Sequence, residues 1–181
     1  MEKIKLFDPY VNDSEKQALS RVLTSHFWAS GSGVGNVQKF EKEFSKYVGS
    51  RASVAVNSGT AALNLALSMY DIKNKEVILP SLSFVSTANA VIENGGIPKF
   101  VDIDENTLCM DVEKISKLIS KKTRIILPVH FAGLAANLKK ISTICKNHGL
   151  VCIEDAAHAA GTTFSKKKIG SGSEMVCFSF H

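Results

Sequence analysis

The chain has 181 residues, of which 45% are hydrophobic and 22% charged, and its formal net charge is +5. This length can bury one sizeable core, and the composition is typical of a soluble globular domain. The positive residues are mostly scattered; the one dense run, Lys166-Lys167-Lys168, is interpreted as a hairpin tip. Nucleic-acid binding needs basic residues clustered on one face, so we do not expect a nucleic-acid partner.

The cysteines and the lengths of the apolar segments indicate in which cellular compartment the protein is expected. Three of the four cysteines lie in apolar strand or helix patterns, and none forms a CxxC pair. We therefore expect buried thiols in a reducing compartment. No signal peptide begins the sequence, and no apolar run approaches the ~20 residues of a spanning helix. A cytoplasmic protein without a membrane span is expected. The cysteines are Cys109, Cys145, Cys152 and Cys177.

The first fifty residues differ from the rest of the chain. Amphipathic helices are predicted over residues 14–23 and 37–48, around a glycine-rich turn at residues 31–35. The turn is similar to a dinucleotide-binding loop, but its third glycine is misplaced by one residue and no strand precedes it. We expect residues 1–50 to form a helical arm and not a dinucleotide site.

From residue 52 onwards, β-rich segments alternate with helical patterns. Asp111 and Asn137 are predicted helix N-caps, and Gly149 is predicted to end the second of these helices. The alternation predicts an α/β fold of three layers, in which helices cover both faces of a mainly parallel sheet. The predicted helices span residues 61–69, 84–92, 112–119 and 138–148, and the predicted strands span residues 52–56, 76–80, 98–102, 124–129, 150–154 and 175–180.

One predicted strand delivers a carboxylate and then a histidine, Asp155 and His158, at its C-terminal edge. In an open α/β sheet, ligands bind at that edge. A carboxylate against the interior is costly unless it meets a cation. The ring nitrogen of pyridoxal phosphate is such a cation, because an aspartate keeps it protonated and the ring can then act as an electron sink. His158 alone would more simply be an ordinary hydrogen-bonded histidine.

Residues 57–63 join the first predicted strand to its helix and form a candidate phosphate site. Free N–H groups at a helix start attract an anion, Gly59 allows close approach, and Thr60 adds a hydroxyl. A plain helix N-cap explains this segment equally well.

Two more positions suit a flat, phosphorylated cofactor. Phe84 stands where the chain leaves a strand, so its ring either stacks on a cofactor ring or packs in the core. Ser179, on the last predicted strand, could reach a phosphate or be an ordinary strand residue. The histidines lack metal-ligand spacing, so no zinc site is predicted.

Five motifs, taken together and in order, resemble the DegT/StrS sugar aminotransferases, a family of fold-type-I pyridoxal-phosphate enzymes. The resemblance extends over essentially the whole chain, from Trp28 to His181. It implies the large domain of a pyridoxal-phosphate-dependent transferase and a homodimer. The motifs are NSGTAAL, PSLSFVSTANAV, PVHFAG, EDAAHAAGT and FSFH.

The resemblance implies a phosphate site at two separate motifs. Gly59, Thr60 and Ala61 match residues that hold the cofactor phosphate. Ser179 matches a serine that binds the same phosphate.

The resemblance also implies three residues around the cofactor ring. Phe84 matches the aromatic residue stacked on the ring, and Asp155 matches the acid paired with its nitrogen. His158 matches the glutamine or histidine beside the cofactor hydroxyl.

The family's Schiff-base lysine follows three residues after the position of His181, and no lysine of this chain follows Ser179. The resemblance therefore implies that residues 51–181 are an incomplete large domain, without the C-terminal small domain, and that this piece alone is inactive. The FSFH and EDAAHA motifs most resemble members that aminate C4 of a nucleotide-linked 4-keto sugar. Those members use glutamate as donor and serve polysaccharide or glycan synthesis.

Two alternatives remain. Some relatives carry histidine in place of the Schiff-base lysine and dehydrate deoxysugars. A naturally truncated, non-catalytic protein is the second alternative.

Overall fold

The structure is a computed structural model that describes residues 8–28 and 35–181. Its helices are α1 (Asp13–Ser25), α2 (Asn36–Val48), α3 (Gly59–Ser68), α4 (Val85–Glu93), α5 (Val112–Leu118) and α6 (Leu138–His148), with a 3-10 turn at Phe131–Gly133. Its strands are β1 (Glu76–Pro80), β2 (Ile97–Val101), β3 (Thr123–Ile126), β4 (Val151–Asp155), β5 (Thr163–Phe164), β6 (Lys167–Lys168) and β7 (Met175–Cys177).

Within the described residues, five strands form one parallel sheet in the order β2–β1–β3–β4–β7. Every pairing in this sheet is parallel, so the carboxyl ends of its strands share one edge. The strand order reverses at β1, with β2 on one side and β3 on the other. In open α/β sheets, such a reversal opens a crevice at the carboxyl edge.

The side chains of the sheet divide the core into two layers, because successive strand residues point to opposite faces. Val77 and Leu79 of β1 pack with Leu67 and Val91 of α3 and α4. Ile78, between them, belongs to the opposite cluster with residues of α5 and α6. The predicted three-layer α/β fold is confirmed.

The helix predictions agree closely with the structure. Asp111 caps α5 by accepting a hydrogen bond from the Glu113 N–H at 3.0 Å. Asn137 caps α6 in the same way, through the Lys140 N–H at 3.2 Å. Gly149 ends α6 with φ of 64°, in the left-handed region that favours glycine.

The two N-terminal helices are also present. Helix α1 begins with a capping box between Asn12 and Glu15 and has no buried residue. Helix α2 packs its Phe44 ring edge-on against Phe178, with centroids 5.1 Å apart. The glycine-rich turn at residues 31–35 lies outside the described residues except for Gly35, which is the N-cap of α2.

Two predicted strands are shorter or absent. Residues 52–56 are not part of a strand, because their backbone bonds elsewhere: the Ala55 N–H donates to Glu41 Oε1 of α2 at 2.8 Å. The last strand ends at Cys177 rather than at residue 180, because its register partner Asp155 is already the last residue of β4. Beyond it, Phe178 turns toward α2.

The predicted strand over residues 124–129 is interrupted by a proline. Strand β3 ends at Ile126, and Val129 pairs only through an isolated bridge to Asp155. Between them stands Pro128, which has no N–H to contribute to a ladder. The carbonyl of Pro128 instead accepts a hydrogen bond from the Asp155 N–H at 2.9 Å.

The lysine-rich segment is a hairpin tip, as predicted. Strands β5 and β6 are antiparallel, and Ser165 and Lys166 make the turn between them with φ of 49° and 66°. The Lys168 ammonium lies 3.2 Å from the centroid of the Tyr47 ring, a cation–π contact.

All four cysteines are free thiols; Cys109, Cys145 and Cys177 are buried, as expected, whereas Cys152 is partly exposed. Burial, followed by the nearby Asp155 carboxylate, raises the pKa of the Cys177 thiol to about 12. Among residues 8–28 and 35–181, no helix combines the length and the apolar character needed to cross a bilayer.

Candidate functional site

Asp155 is the last residue of β4, and only 4% of its surface is exposed. Its Oδ2 accepts a hydrogen bond from the Thr87 hydroxyl at 2.9 Å, and its Oδ1 accepts one from the Ala157 N–H at 3.1 Å. Thr87 is itself 2.6 Å from the Ser83 hydroxyl, which donates to it because the hydrogen of Thr87 points to Asp155. Each carboxylate oxygen keeps a further lone pair.

No cation balances Asp155 within the described part of the chain. The ion pairs there involve other carboxylates. A buried carboxylate gains most from a charged N–H donor, which would form a strong charge-assisted hydrogen bond. The position is therefore suited to a protonated nitrogen brought by a ligand.

Phe84 lies at the same edge of the sheet, after β1, and is the N-cap of α4. Its residue surface is 72% exposed, so the alternative that its ring packs in the core is wrong. An exposed aromatic ring at this edge of the sheet can stack on a flat ligand.

His158 follows Asp155 by three residues and is exposed. Its Nδ1 accepts a hydrogen bond from the Ala132 N–H at 3.3 Å, and its ring meets Phe131 edge-on at 5.9 Å. Because Nδ1 accepts, the hydrogen of the neutral ring stands on Nε2. His158 is thus oriented as a donor through Nε2.

The start of α3 has the features of an anion site. Ser58 caps the helix and accepts a hydrogen bond from the Ala61 N–H at 3.1 Å. The N–H groups of Gly59 and Thr60 have no helical acceptor, as is usual in a first turn. They supply the donors and the positive end of the helix dipole.

Ser179 lies directly against this helix start. A Cβ added to Gly59 would stand 3.0 Å from the Ser179 Cβ and 3.3 Å from its Oγ, so only glycine allows this approach without a shift. The Ser179 hydroxyl accepts a hydrogen bond from the His181 N–H at 3.2 Å, and its own hydrogen is left to donate. Two motifs that are distant in the sequence therefore meet at the start of α3, and the N–H groups of Gly59 and Thr60 with the Ser179 hydroxyl are called the anion cradle below.

Sequence reasoning missed the hydroxyl pair behind Asp155. Ser83 and Thr87 stand four residues apart around the start of α4, a spacing that places two hydroxyls on one side of a helical turn. The sequence shows the spacing of the two hydroxyls. It does not predict that Thr87 bonds Asp155, because Asp155 lies 68 residues further along the chain.

The start of α3 and the buried Asp155 carboxylate, which no cation balances among the described residues, lie at one edge of a parallel three-layer sheet. This is the architecture of fold-type-I pyridoxal-phosphate enzymes. The sequence profile of the DegT/DnrJ/EryC1/StrS aminotransferase family matches residues 9–181, and the chain belongs to this family. The resemblance drawn from the five motifs is confirmed.

Two curated relatives illustrate the match. The chain is 43% identical over 174 residues to the spore coat polysaccharide biosynthesis protein SpsC of Bacillus subtilis (strain 168), covering 96% of this chain and 44% of SpsC. It is 36% identical over 181 residues to GDP-perosamine synthase of Caulobacter vibrioides, covering 99% of this chain and 48% of that protein. The chain thus spans about half the length of the curated relatives that it matches.

Solved structures agree on the fold. 3-Amino-5-hydroxybenzoic acid synthase has a TM-score of 0.91 and 34% identity, over 96% of this chain and 45% of that one. The putative sugar aminotransferase Spr1654 of Streptococcus pneumoniae, in its PLP-form, has a TM-score of 0.90 and 26% identity, over 99% and 49%. A GDP-4-keto-6-deoxymannose-3-dehydratase has a TM-score of 0.85 and 30% identity, over 93% and 45%.

Proposed function

We propose that the complete gene product is a pyridoxal-phosphate-dependent aminotransferase that acts on a nucleotide-linked keto sugar. The observation that carries this proposal is Asp155, a buried carboxylate with two hydrogen-bond donors and no cation among the described residues. Family membership and the anion cradle at Gly59 and Ser179 support it.

The cofactor fits the residues present. When bound, it supplies an electron sink for the carbon that loses or gains a proton. Asp155 would hold the proton on the ring nitrogen, and Phe84 would stack on the ring. His158 would donate its Nε2 hydrogen to an acceptor of the cofactor.

The phosphate is assigned to the cradle. The Gly59 and Thr60 N–H groups and the Ser179 hydroxyl bind its oxygens, and Ala61 belongs to the same first turn of α3. Because the donors come from a helix start and from the segment after β7, phosphate binding also ties these two segments together.

The network behind Asp155 has a positioning role in this scheme. The Thr87 hydroxyl and the Ala157 N–H hold the two carboxylate oxygens, so the side chain points in one direction before the cofactor arrives. Such preorganisation avoids the cost of ordering the group on binding. Ser83 supports the arrangement through Thr87.

The substrate assignment rests on motifs and on relatives. We propose amination at C4 of a nucleotide-linked 4-keto sugar, with glutamate as the amino donor, for polysaccharide or glycan synthesis. GDP-perosamine synthases of two bacteria and a spore coat polysaccharide biosynthesis protein are among the relatives. We further propose a cytoplasmic homodimer, in which residues 1–50 form an arm and residues 51–181 belong to the cofactor-binding large domain.

A dehydratase is the second candidate function. A GDP-4-keto-6-deoxymannose-3-dehydratase has the same fold over most of this chain at 30% identity. The residue three positions beyond His181 discriminates between the two, because a lysine there favours transamination and a histidine favours dehydration.

The test is a two-substrate assay of the complete gene product with pyridoxal phosphate. Incubation with glutamate and a nucleotide-linked 4-keto-6-deoxysugar should give 2-oxoglutarate and an amino sugar, measured by mass spectrometry. A product that has lost a hydroxyl without retaining nitrogen would replace the proposal with the dehydratase. Failure to bind the cofactor at all, in a folded protein, would refute both functions.

A further inference from the structure

Two buried ionisable residues have no part in the scheme above. His130 follows β3 and is 0% exposed, and Glu154 of β4, beside Asp155, is 1% exposed. Their side chains meet at 2.9 Å, from His130 Nε2 to Glu154 Oε2. A buried histidine paired with a buried carboxylate is costly to form unless further hydrogen bonds satisfy both groups.

The hydrogen bonds define the tautomer of His130. The Ala136 N–H donates to His130 Nδ1 at 3.0 Å, so Nδ1 carries no hydrogen. The hydrogen of the neutral ring therefore stands on Nε2 and is donated to Glu154. The other oxygen of Glu154 accepts a hydrogen bond from the Ser173 hydroxyl. Both ring nitrogens of His130 are thus engaged, each in a fixed role.

The hydrogen bond from the Ala136 N–H to His130 Nδ1 closes a short loop that contains the 3-10 turn Phe131–Gly133. Within this turn, Ala132 has φ of 50° and Gly133 has φ of 85°. Ala132 is a non-glycine residue in the left-handed region, a conformation that persists only where the surroundings impose it. The His130 ring spans this loop from the inside, since it is hydrogen-bonded to Glu154 and to the Ala136 N–H.

The turn is what orients His158. Its Ala132 N–H donates to His158 Nδ1 at 3.3 Å. Gly133 packs against the same residue, since a Cβ there would stand 3.2 Å from the His158 carbonyl oxygen. The Gly133 carbonyl also accepts from the Thr162 hydroxyl at 2.7 Å. The loop and the segment after β4 are therefore joined at several points.

We propose that His130, held by Glu154, is a positioning residue for His158: it shapes the turn whose Ala132 N–H fixes the hydrogen of His158 on Nε2. This inference rests on the proposed function for its consequence, which is a donor prepared for an acceptor atom of the cofactor. Its structural part, the control of the His158 tautomer by His130, holds with or without cofactor.

A backbone hydrogen bond also connects His130 to Asp155. The His130 N–H donates to the Asp155 carbonyl at 3.0 Å, so the residue that shapes the loop is also bonded to the end of β4. A displaced His130 would therefore disturb both residues that flank the cofactor ring.

The first readout is the His158 tautomer in the complete gene product without cofactor, measured by NMR of ¹⁵N-labelled histidine rings. The wild type should show Nε2 protonated and Nδ1 unprotonated at His158. His130→Phe should give mixed tautomers at His158. His130→Asn, whose side-chain oxygen can still accept a hydrogen bond from the Ala136 N–H, should keep more of the single His158 tautomer than His130→Phe does. If His130→Phe does not fold, His130→Asn is compared with Glu154→Gln: the Asn variant loses the contact with Glu154 and should show a partly mixed tautomer at His158, whereas Glu154→Gln, whose amide oxygen still accepts from His130 Nε2, should keep the single tautomer. Equal His158 tautomers in these two variants would overturn the inference.

The second readout is kinetic, on the enzyme loaded with pyridoxal phosphate. His130→Phe should lower kcat by about tenfold or more, by analogy with the loss of groups that orient metal-binding histidines. An unchanged His158 tautomer in folded His130→Phe protein would overturn the inference. If the wild type binds no cofactor while the tautomers shift as described, the proposed function fails and the positioning role stands.

Discussion

The Thr87 hydroxyl donates a hydrogen bond to the Asp155 carboxylate at 2.9 Å, although the two residues are 68 positions apart. Thr87 is in the first turn of α4, which follows β1, whereas Asp155 ends β4, and β3 lies between those strands. Their contact is possible because all these strands are parallel and end at the same edge. The buried carboxylate is therefore positioned by the fold rather than by its own strand.

Thr87→Val should lower kcat/KM while leaving the fold intact. Valine keeps the shape of threonine but removes the donor to Asp155 and the acceptor for Ser83. A hydrogen bond to a charged group contributes about 1.5–3 kcal/mol, which corresponds to a loss of about 10- to 150-fold if the whole contribution is lost in the transition state. The control is Thr143→Val on the exposed side of α6, whose hydroxyl bonds only the Lys139 carbonyl among the described contacts. Equal kinetics for the two variants would contradict this role of Thr87.

Asp155→Ala should abolish transamination by the complete gene product. Without the carboxylate, the ring nitrogen loses the partner that keeps it protonated, and the rate should fall by several orders of magnitude, at about 1.4 kcal/mol of barrier per tenfold. The matched control is Asp102→Ala, which removes an exposed carboxylate paired with Lys114. Surface pairs of that kind contribute little. Turnover near the wild-type rate in Asp155→Ala would show that another group performs this role.

Gly59→Ala should weaken phosphate binding more than it weakens folding. The added methyl would stand 3.0 Å from the Ser179 Cβ, so the helix start and Ser179 must move apart. Because the cradle needs both segments close together, the Kd for pyridoxal phosphate, measured by titration in absorbance, should rise. Gly172→Ala is the control, since its new methyl meets nothing within 4 Å. An unchanged Kd in Gly59→Ala would remove this residue from the site.

Local patterns predicted much of this structure. The bounds of β1 at Glu76–Pro80 agree with the prediction, and Asp111 and Gly149 act at the helix ends as their residue types indicate. These features depend on neighbours within one helical turn or one strand. The carboxylate at the end of β4 was also predictable, because an apolar strand leads directly to it.

The contacts between distant segments were not predictable from the same patterns. Residues 52–56 have the composition of a strand, but the Ala55 N–H donates its hydrogen bond to the side chain of Glu41 in α2 and not to a neighbouring strand. The hydrogen bonds of His130 to Glu154 and Ala136 produce no periodic pattern in the sequence. Hydrophobic periodicity reports which face of an element is buried, and not which polar group it meets.

Glu76 should stabilise the fold in a pH-dependent way. Its Oε2 accepts hydrogen bonds from Ser120 at 2.6 Å, Thr123 at 2.9 Å and Lys99 at 3.3 Å. These contacts, Ser120 first, hold the pKa of the Glu76 carboxyl below its usual value. A carboxyl whose pKa is lower in the folded state stabilises it above the unfolded pKa, and that contribution is lost as the pH falls through the folded pKa.

Urea unfolding of the complete gene product measures this effect. Glu76→Gln should lower the free energy of unfolding at about pH 7, and its difference from wild type should shrink at about pH 4, below the usual pKa of glutamate. Glu105→Gln, in an exposed loop, is the control and should show little difference at either pH. A Glu76→Gln deficit of the same size at both pH values would mean that shape, rather than charge, matters at this position.

The 181-residue chain should form no specific covalent bond with pyridoxal phosphate. A lysine that condenses with the cofactor must lie at the edge formed by Asp155 and Ser179, and no lysine in the described part of the chain forms a hydrogen bond or ion pair with either residue. Two of the described lysines, for example, make side-chain contacts elsewhere: Lys99 pairs with Glu76, and Lys168 lies over the Tyr47 ring.

Borohydride reduction makes such bonds permanent, and peptide mapping then locates them. In the 181-residue chain we expect sparse labelling spread over surface lysines, because exposed amines react weakly and without selection. In the complete gene product, if it is an aminotransferase, one lysine three residues beyond His181 should be labelled stoichiometrically. Stoichiometric labelling of a single lysine within residues 1–181 would contradict this prediction, since it would show that the cofactor takes its covalent partner from a different part of the fold.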